Sequence, residues 1–190
     1  METNVNQTGH RLLIIDDNPT IHEDIKKILC PPKEDADVSA MAAELFGSRS
    51  PAVEPTQFRI DSAYQGQEGL AKVEQAIAEG APYAMAFVDV RMPPGWDGIE
   101  TIRRIWDKYP GLQVVICTAY SDHSWEDITR SLGYSDSFVI LKKPFDNVEV
   151  LQLAHALTKK WTLACETRIR MDNLDEMVRV RAEALSKANE

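Results

Sequence analysis

Long apolar runs are missing from this sequence: no stretch approaches the roughly 18 residues of a membrane span. The N-terminus, METNVNQTGHRLLIIDD, has no basic start followed by a cleavable apolar segment, so no secretion signal is expected. Cysteine is scarce. Cys30, Cys117 and Cys165 are scattered, odd in number and without metal-like spacing, which excludes a disulfide framework and fits a reducing cytoplasm. Positive charge is in deficit, with 21 Lys and Arg against 30 Asp and Glu and a net charge of −9. Global attraction for nucleic acid or an anionic membrane is therefore excluded. An acidic pocket that needs a cation is the natural counterpart of such a balance. What the chain does have is 44% hydrophobic content over 190 residues, enough for one domain of ordinary size and an appendage.

Residues 12–16, LLIID, form a short apolar run that ends in acid, as a buried parallel strand does. A helix is expected next: Asn18 can cap it, Pro19 suits its first turn, and Ile21, Ile25, Ile28 and Leu29 make one apolar face. Residues 31–56 mix prolines, charges and small residues and read as a long insert with one short helix near 38–46. Strands are expected at 57–63, 84–89, 112–119 and 137–143. Between them lie helices at 66–79, with Leu70, Val73, Ala76 and Ile77 inward, at about 97–108, and over SWEDITRSLG, ended by Gly133. From Asn147 onward the pattern is helical. Five strands alternating with five helices argue a parallel sheet covered on both faces, with ligands bound beyond the carboxyl ends of the strands.

The polar residues fall at those ends. Asp16 and Asp17 close the first strand, Asp89 the third and Thr118 the fourth, while Lys143 closes the fifth and precedes Pro144. Three carboxylates packed together repel one another, and a divalent cation relieves that repulsion. Magnesium suits oxygen ligands, keeps waters and leaves room for a phosphate. Lysine and threonine supply a positive charge and a hydrogen bond to phosphoryl oxygens. Asp89 can then act as a nucleophile toward phosphorus, forming an aspartyl phosphate. Taken singly each residue has a bland reading: an aspartate pair as cap and solvated neighbour, Thr118 as a strand former, Lys143 as a surface charge. Their coincidence at matched strand ends favours the site. Cys117 reads as a core residue, and His22, directly behind Asp17 in the first helix, as a solvent-facing one. Trp96 and Trp125 are placed near the pocket rim, either to meet a partner or to pack.

The set IIDD, FVDVRMP, TA and KPF, in this order, resembles the receiver domain of bacterial two-component response regulators. The resemblance covers roughly residues 10–158 and implies a flavodoxin-like, doubly wound α/β fold with a five-stranded parallel sheet of order 2-1-3-4-5. It implies magnesium held by Asp17 and Asp89 with the backbone carbonyl of Arg91, and by Asp16 largely through water. It further implies that Asp89 accepts the phosphoryl group from a sensor histidine kinase or phosphotransfer protein, that Thr118 and Lys143 contact the phosphoryl oxygens, and that the Lys143–Pro144 bond is cis. Such a domain is a signalling switch with self-phosphorylation and autodephosphorylation, not a metabolic enzyme. Four features depart from the family pattern, one being a Thr118–Lys143 segment a few residues longer than usual. The insert at 31–56 is long, and the loop MPPGWDG carries one extra residue. The position three before Lys143, where the family often has an aromatic switch residue, is Ile140, leaving Phe138 as the nearest aromatic. Lys142 competes with Lys143, and adjacency to Pro144 favours Lys143.

Between Asn147 and about Lys187 there is neither glycine nor proline, which makes a helix too long to serve only as cover for a sheet. Val150, Ala154, Leu157, Trp161 and Ala164 follow one 3-4 register. Met171, Leu174, Val178 and Leu185 follow another, with Arg181 in step, and the two slip near 164–167. Residues 159–190 are therefore expected to form a signalling helix, a coiled coil that makes a homodimer, leading to an output domain outside this sequence. The rival is one amphipathic helix folded back on its own domain. Two further rivals concern the pocket. A haloacid-dehalogenase-type phosphatase wants a second acid two residues after its nucleophile, where this chain has Arg91. A purely structural dimerisation module would leave the intact Asp, Thr and Lys set without a use.

Overall fold

The structure, a computed structural model, describes residues 9–31, 57–119 and 125–188, with side chains of residues 125 and 183–188 left aside. The short helix expected near 38–46 lies outside the described residues. In chain order the elements are β1 (His10–Ile15), α1 (Pro19–Leu29), β2 (Phe58–Ala63), α2 (Gly66–Ala78), β3 (Met85–Asp89), α3 (Gly98–Lys108), β4 (Gln113–Thr118), α4 (Trp125–Leu132), β5 (Phe138–Lys142) and α5 (Asn147–Ala188). The five strands form one parallel sheet of order β2-β1-β3-β4-β5.

Strand alternation builds two cores. Successive side chains point to opposite faces, so Leu13 and Ile15, Ala86 and Val88, and Val114 and Ile116 enter one cluster with Val73, Ile102, Ile105 and Ile128 of α2, α3 and α4. Leu12 and Ile14, Met85 and Phe87, and Val115 and Cys117 enter the other with Ile25 and Leu29 of α1 and Val150, Ala154 and Leu157 of α5. Both faces are dry, which is why these strands read as near-continuous apolar runs rather than alternating ones.

Local chemistry fixes the helix ends. The Asn18 side chain accepts from the Thr20 amide at 3.0 Å, with Pro19 opening α1. Asp97 caps α3 by accepting from the Glu100 amide at 2.7 Å. Gly133 ends α4 with φ +79°, the left-handed region that favours glycine. One expected inward residue is corrected. The buried stripe of α2 is Gly66, Gly69, Val73 and Ala76, and Ile77 is 40% exposed because it lies one position, about 100°, beyond that stripe.

The long helix α5 spans 42 residues, about 63 Å at 1.5 Å per residue. Val150, Ala154, Leu157 and Trp161 are buried, so the first register is the seam that docks α5 on the sheet. Every described side chain from Thr167 to Ala182 is exposed. The slip at 164–167 marks the point where the helix leaves the domain.

Candidate functional site

Parallel register carries the polar residues to one end of the sheet. Ile15 pairs with Val88, so Asp16 and Asp89 stand side by side one step further on. Asp89 itself pairs with Cys117, which puts Thr118 one step beyond, and Thr118 pairs with Lys142, which brings Lys143 to the same rim. Asp16, Asp17 and Asp89 each offer an oxygen, and these atoms lie within 4.8 Å of one another. The Lys143 ammonium donates to Asp16 Oδ2 at 2.8 Å and to Asp89 Oδ1 at 2.7 Å. The other Asp89 oxygen accepts from the Arg91 amide at 3.0 Å, and Asp16 Oδ1 accepts from the Asn18 amide at 2.9 Å.

Asp16 and Asp89 are buried while Asp17 is exposed. Burial pushes the Asp89 carboxyl above its ordinary pKa of 3.8 and Asp16 adds to the shift, while the Lys143 and Arg91 hydrogen bonds pull it down. Burial works against the Lys143 ammonium too, but its bonds to Asp16 and Asp89 outweigh that and raise its pKa above 10.5. Three carboxylates against one ammonium leave an excess of negative charge. All the donors are hard oxygens, and the exposure of Asp17 leaves one side open to water. The residues therefore fit a divalent cation of the magnesium kind.

The backbone around the cluster is tightly determined. Val90 donates to the Cys117 carbonyl at 3.1 Å and Gly98 to the Val90 carbonyl at 2.9 Å. A β-carbon at Gly98 would run into the Asp89 carbonyl oxygen, so the glycine lets α3 begin directly against the strand end. The Pro93–Pro94 and Lys143–Pro144 bonds are cis.

Of the residues singled out in the sequence, Asp16, Asp17, Asp89 and Lys143 converge. Lys142 is exposed at the end of β5. Thr118 is buried at the rim, its hydroxyl donating to the Ala119 carbonyl at 3.1 Å and its carbonyl accepting from the Lys143 amide at 2.8 Å. Phe138 is not brought to the cluster. It opens β5 opposite Val114, buried, with its ring 6.3 Å from that of Trp106. It lies four residues, about 13 Å of strand, from Lys142. Cys117 is a core residue, its thiol pushed up to about 12 by burial. Trp96 lies at the loop with the Arg104 guanidinium stacked 4.1 Å from its ring centre, and the Trp125 side chain lies outside the described ones.

His22 is a correction. It is 2% exposed, with Nε2 2.7 Å from the Asp16 carbonyl oxygen and its ring 4.6 Å from that of Tyr64. Its place directly behind Asp17 in the first helix suggests a solvent-facing residue, but the ring turns inward. The signal that could have found it is spacing, because residues 22, 25 and 29 make one helical stripe and all three are buried.

Comparison with known proteins agrees with this fold. The family pattern described as "Response regulator receiver domain" matches residues 49–155. That span holds Asp89, Thr118 and Lys143, while Asp16 and Asp17 precede it and reach the site through β1. The DNA-binding transcriptional regulator NtrC of Escherichia coli K12 is 37% identical over 86 residues, 45% of this chain and 17% of the relative. The chain thus spans about a sixth of the length of that curated relative. A CheY-like receiver domain from Methanospirillum hungatei superposes with a TM-score of 0.56 at 21% identity, over 83% of this chain and 99% of that one. A structure described as adenylate cyclase from Rhodopirellula baltica superposes with 0.62 at 18% identity, over 86% and 98%. With the sheet order, the strand-end cluster and a family match across more than half of the sequence in place, the chain belongs to the response regulator receiver domain family.

Proposed function

We propose that this chain is the phospho-acceptor of a two-component relay, with Asp89 as the residue phosphorylated. The observation that carries the reading is the placement of the Asp89 carboxylate. It is buried at a strand end, hydrogen-bonded by Lys143 at 2.7 Å and by the Arg91 amide at 3.0 Å, beside two further carboxylates. Residues 10–158 act as the receiver, and 159–190 as a signalling helix.

Asp16, Asp17 and Asp89, with the Arg91 carbonyl, would hold magnesium, which when bound would neutralise charge on the phosphoryl oxygens. The chain's own residues do the rest. Lys143 holds Asp89 ionised against the burial that favours its protonated form. An Asp89 oxygen attacks phosphorus of a phosphohistidine on a sensor kinase or phosphotransfer protein. A P–O bond forms as the P–N bond breaks, and the electron pair stays with the imidazole. Lys143 then exchanges a carboxylate partner for a phosphoryl oxygen, and the Thr118 hydroxyl turns from the Ala119 carbonyl toward another. The exposed apolar residues of α5 pair with a second copy, and the change at the pocket alters that pairing and the output domain it controls. Direct nucleic-acid contact is not part of this reading, and among the described residues no helix is long and apolar enough to cross a membrane. We place the protein in the cytoplasm with its kinase.

The test is incubation with a small phosphodonor and magnesium, read by intact mass. The native chain should gain one phosphoryl group, and Asp89→Asn none. An added phosphate that persists in Asp89→Asn removes the acceptor assignment. For the dimer, Leu174→Asp should shift the chain to a monomer in sedimentation. An unchanged distribution removes the helix from the interface.

A further inference from the structure

We propose that His22 is a positioning residue for the cation site. Its Nε2–H pins the Asp16 carbonyl and so fixes the turn that presents the Asp16 and Asp17 carboxylates. The inference rests on the magnesium reading of the cluster and adds a residue to it from outside the acidic set.

Asp16 is held at every polar atom. Its amide donates to the Ala63 carbonyl at 3.1 Å. One carboxylate oxygen accepts from the Asn18 amide at 2.9 Å and the other from Lys143 at 2.8 Å. Its carbonyl accepts from His22 at 2.7 Å. A carbonyl oxygen can only accept, so Nε2 carries the hydrogen. Two of these four bonds are made with backbone groups and a third with Lys143, which the site already uses. The fourth comes from a side chain on α1, one turn past the helix cap, reaching back under the strand end.

Packing alone does not explain a histidine there. Position 22 heads the buried stripe it shares with Ile25 and Leu29, and a leucine would fill that place. The imidazole instead leaves Nδ1 buried without a hydrogen-bond partner, a penalty of about 1–3 kcal/mol for a buried polar atom. The bond to Asp16 offsets it. Replacing His22 by an apolar residue removes one orphaned acceptor, Nδ1, and creates another, the Asp16 carbonyl. Stability should therefore change little, while the turn between the first two carboxylates loses its anchor. Partners that orient metal ligands from outside typically alter affinity 10–100-fold when removed.

Two substitutions separate the bond from the packing. His22→Phe keeps an aromatic ring against Tyr64 but has no donor, and His22→Gln keeps a donor but not the ring. Magnesium is titrated into the whole chain by calorimetry, with circular dichroism and urea melting to follow the fold. The expected result is a magnesium Kd about tenfold weaker in His22→Phe, a Kd within about threefold of native in His22→Gln, and near-native melting of His22→Phe. His22→Leu stands in should the phenylalanine variant fail to fold, with the same expected loss. A His22→Phe Kd within twofold of native, or equal losses in Phe and Gln, overturns the assignment. A native chain that binds no magnesium overturns the cation reading itself and the role of His22 with it, a result distinct from native binding that the His22 variants leave unchanged.

Discussion

The two halves of α5 are one helix in the backbone and two different objects in their side chains. From Val150 to Trp161 the apolar stripe is buried against the sheet, and Trp161 Nε1 donates to the Tyr109 hydroxyl at 2.8 Å. Further along, residues of the same kinds are bare: Leu174 is 59% exposed and Val178 67%. Hydrophobic content is comparable; only the presence of a surface opposite differs. Apolar residues by themselves therefore do not tell a docked stretch of helix from an exposed one. The phase of the stripe relative to the sheet does, and it changes at 164–167.

The largest effect should come from breaking the docked half at its last anchor. Trp161→Ala removes a buried ring and is expected to destabilise the domain by about 3–5 kcal/mol in urea unfolding. A loss below about 1 kcal/mol would mean that docking ends earlier, near Leu157. Tyr109→Phe should come next. It leaves the Trp161 N–H without its acceptor at about 1–3 kcal/mol, measured in the same way. A smaller, pH-dependent effect sharpens the boundary. His10 packs edge-on against Trp161 with ring centres 6.2 Å apart. Burial, helped by the nearby charges of His155 and Lys159, lowers its pKa below 6.5. The unfolded chain thus takes up this proton at a higher pH than the folded one. Stability is full above pH 6.5 and falls as pH drops through the lower folded value. His10→Gln should flatten that part of the pH profile, and an unaltered slope would assign it to another group. The smallest effect is expected in the bare half. Leu174→Ala, measured at a dilution where the chain is single, should change unfolding by no more than about 0.5 kcal/mol, and a larger loss would show that this stretch folds back on the domain.

Much of this was legible in the sequence because β1, β3 and β4 carry apolar runs and α1, α3 and α4 have a capping residue or a terminal glycine. The sheet order came from resemblance, and the convergence of Asp16, Asp17, Asp89 and Lys143 followed from placing polar residues at strand ends. What escaped was decided by angle or by contact between distant residues. Ile77 sits one residue off its stripe. Phe138 is the aromatic nearest to Ile140 in sequence, yet it packs on Trp106 at the start of β5. His22 lies directly behind Asp17 in sequence and so reads as solvent-facing, while its Nε2 meets a carbonyl six residues earlier that only the folded turn brings to it. The Trp161–Tyr109 bond joins residues 52 apart and leaves no local trace.

The unbroken course of α5 has an angular consequence. Each residue advances a helix by about 100°, so the direction in which Met171, Leu174 and Val178 point is keyed to Val150, Ala154 and Leu157 with no joint between. Removing one residue between Leu163 and Thr167 would swing the bare face by about 100° while leaving the docked half untouched. Removing seven would bring it back to within about 20°. The sheet thus acts as a chuck and the helix as its shaft: where the docked half is held decides the bearing of the bare half.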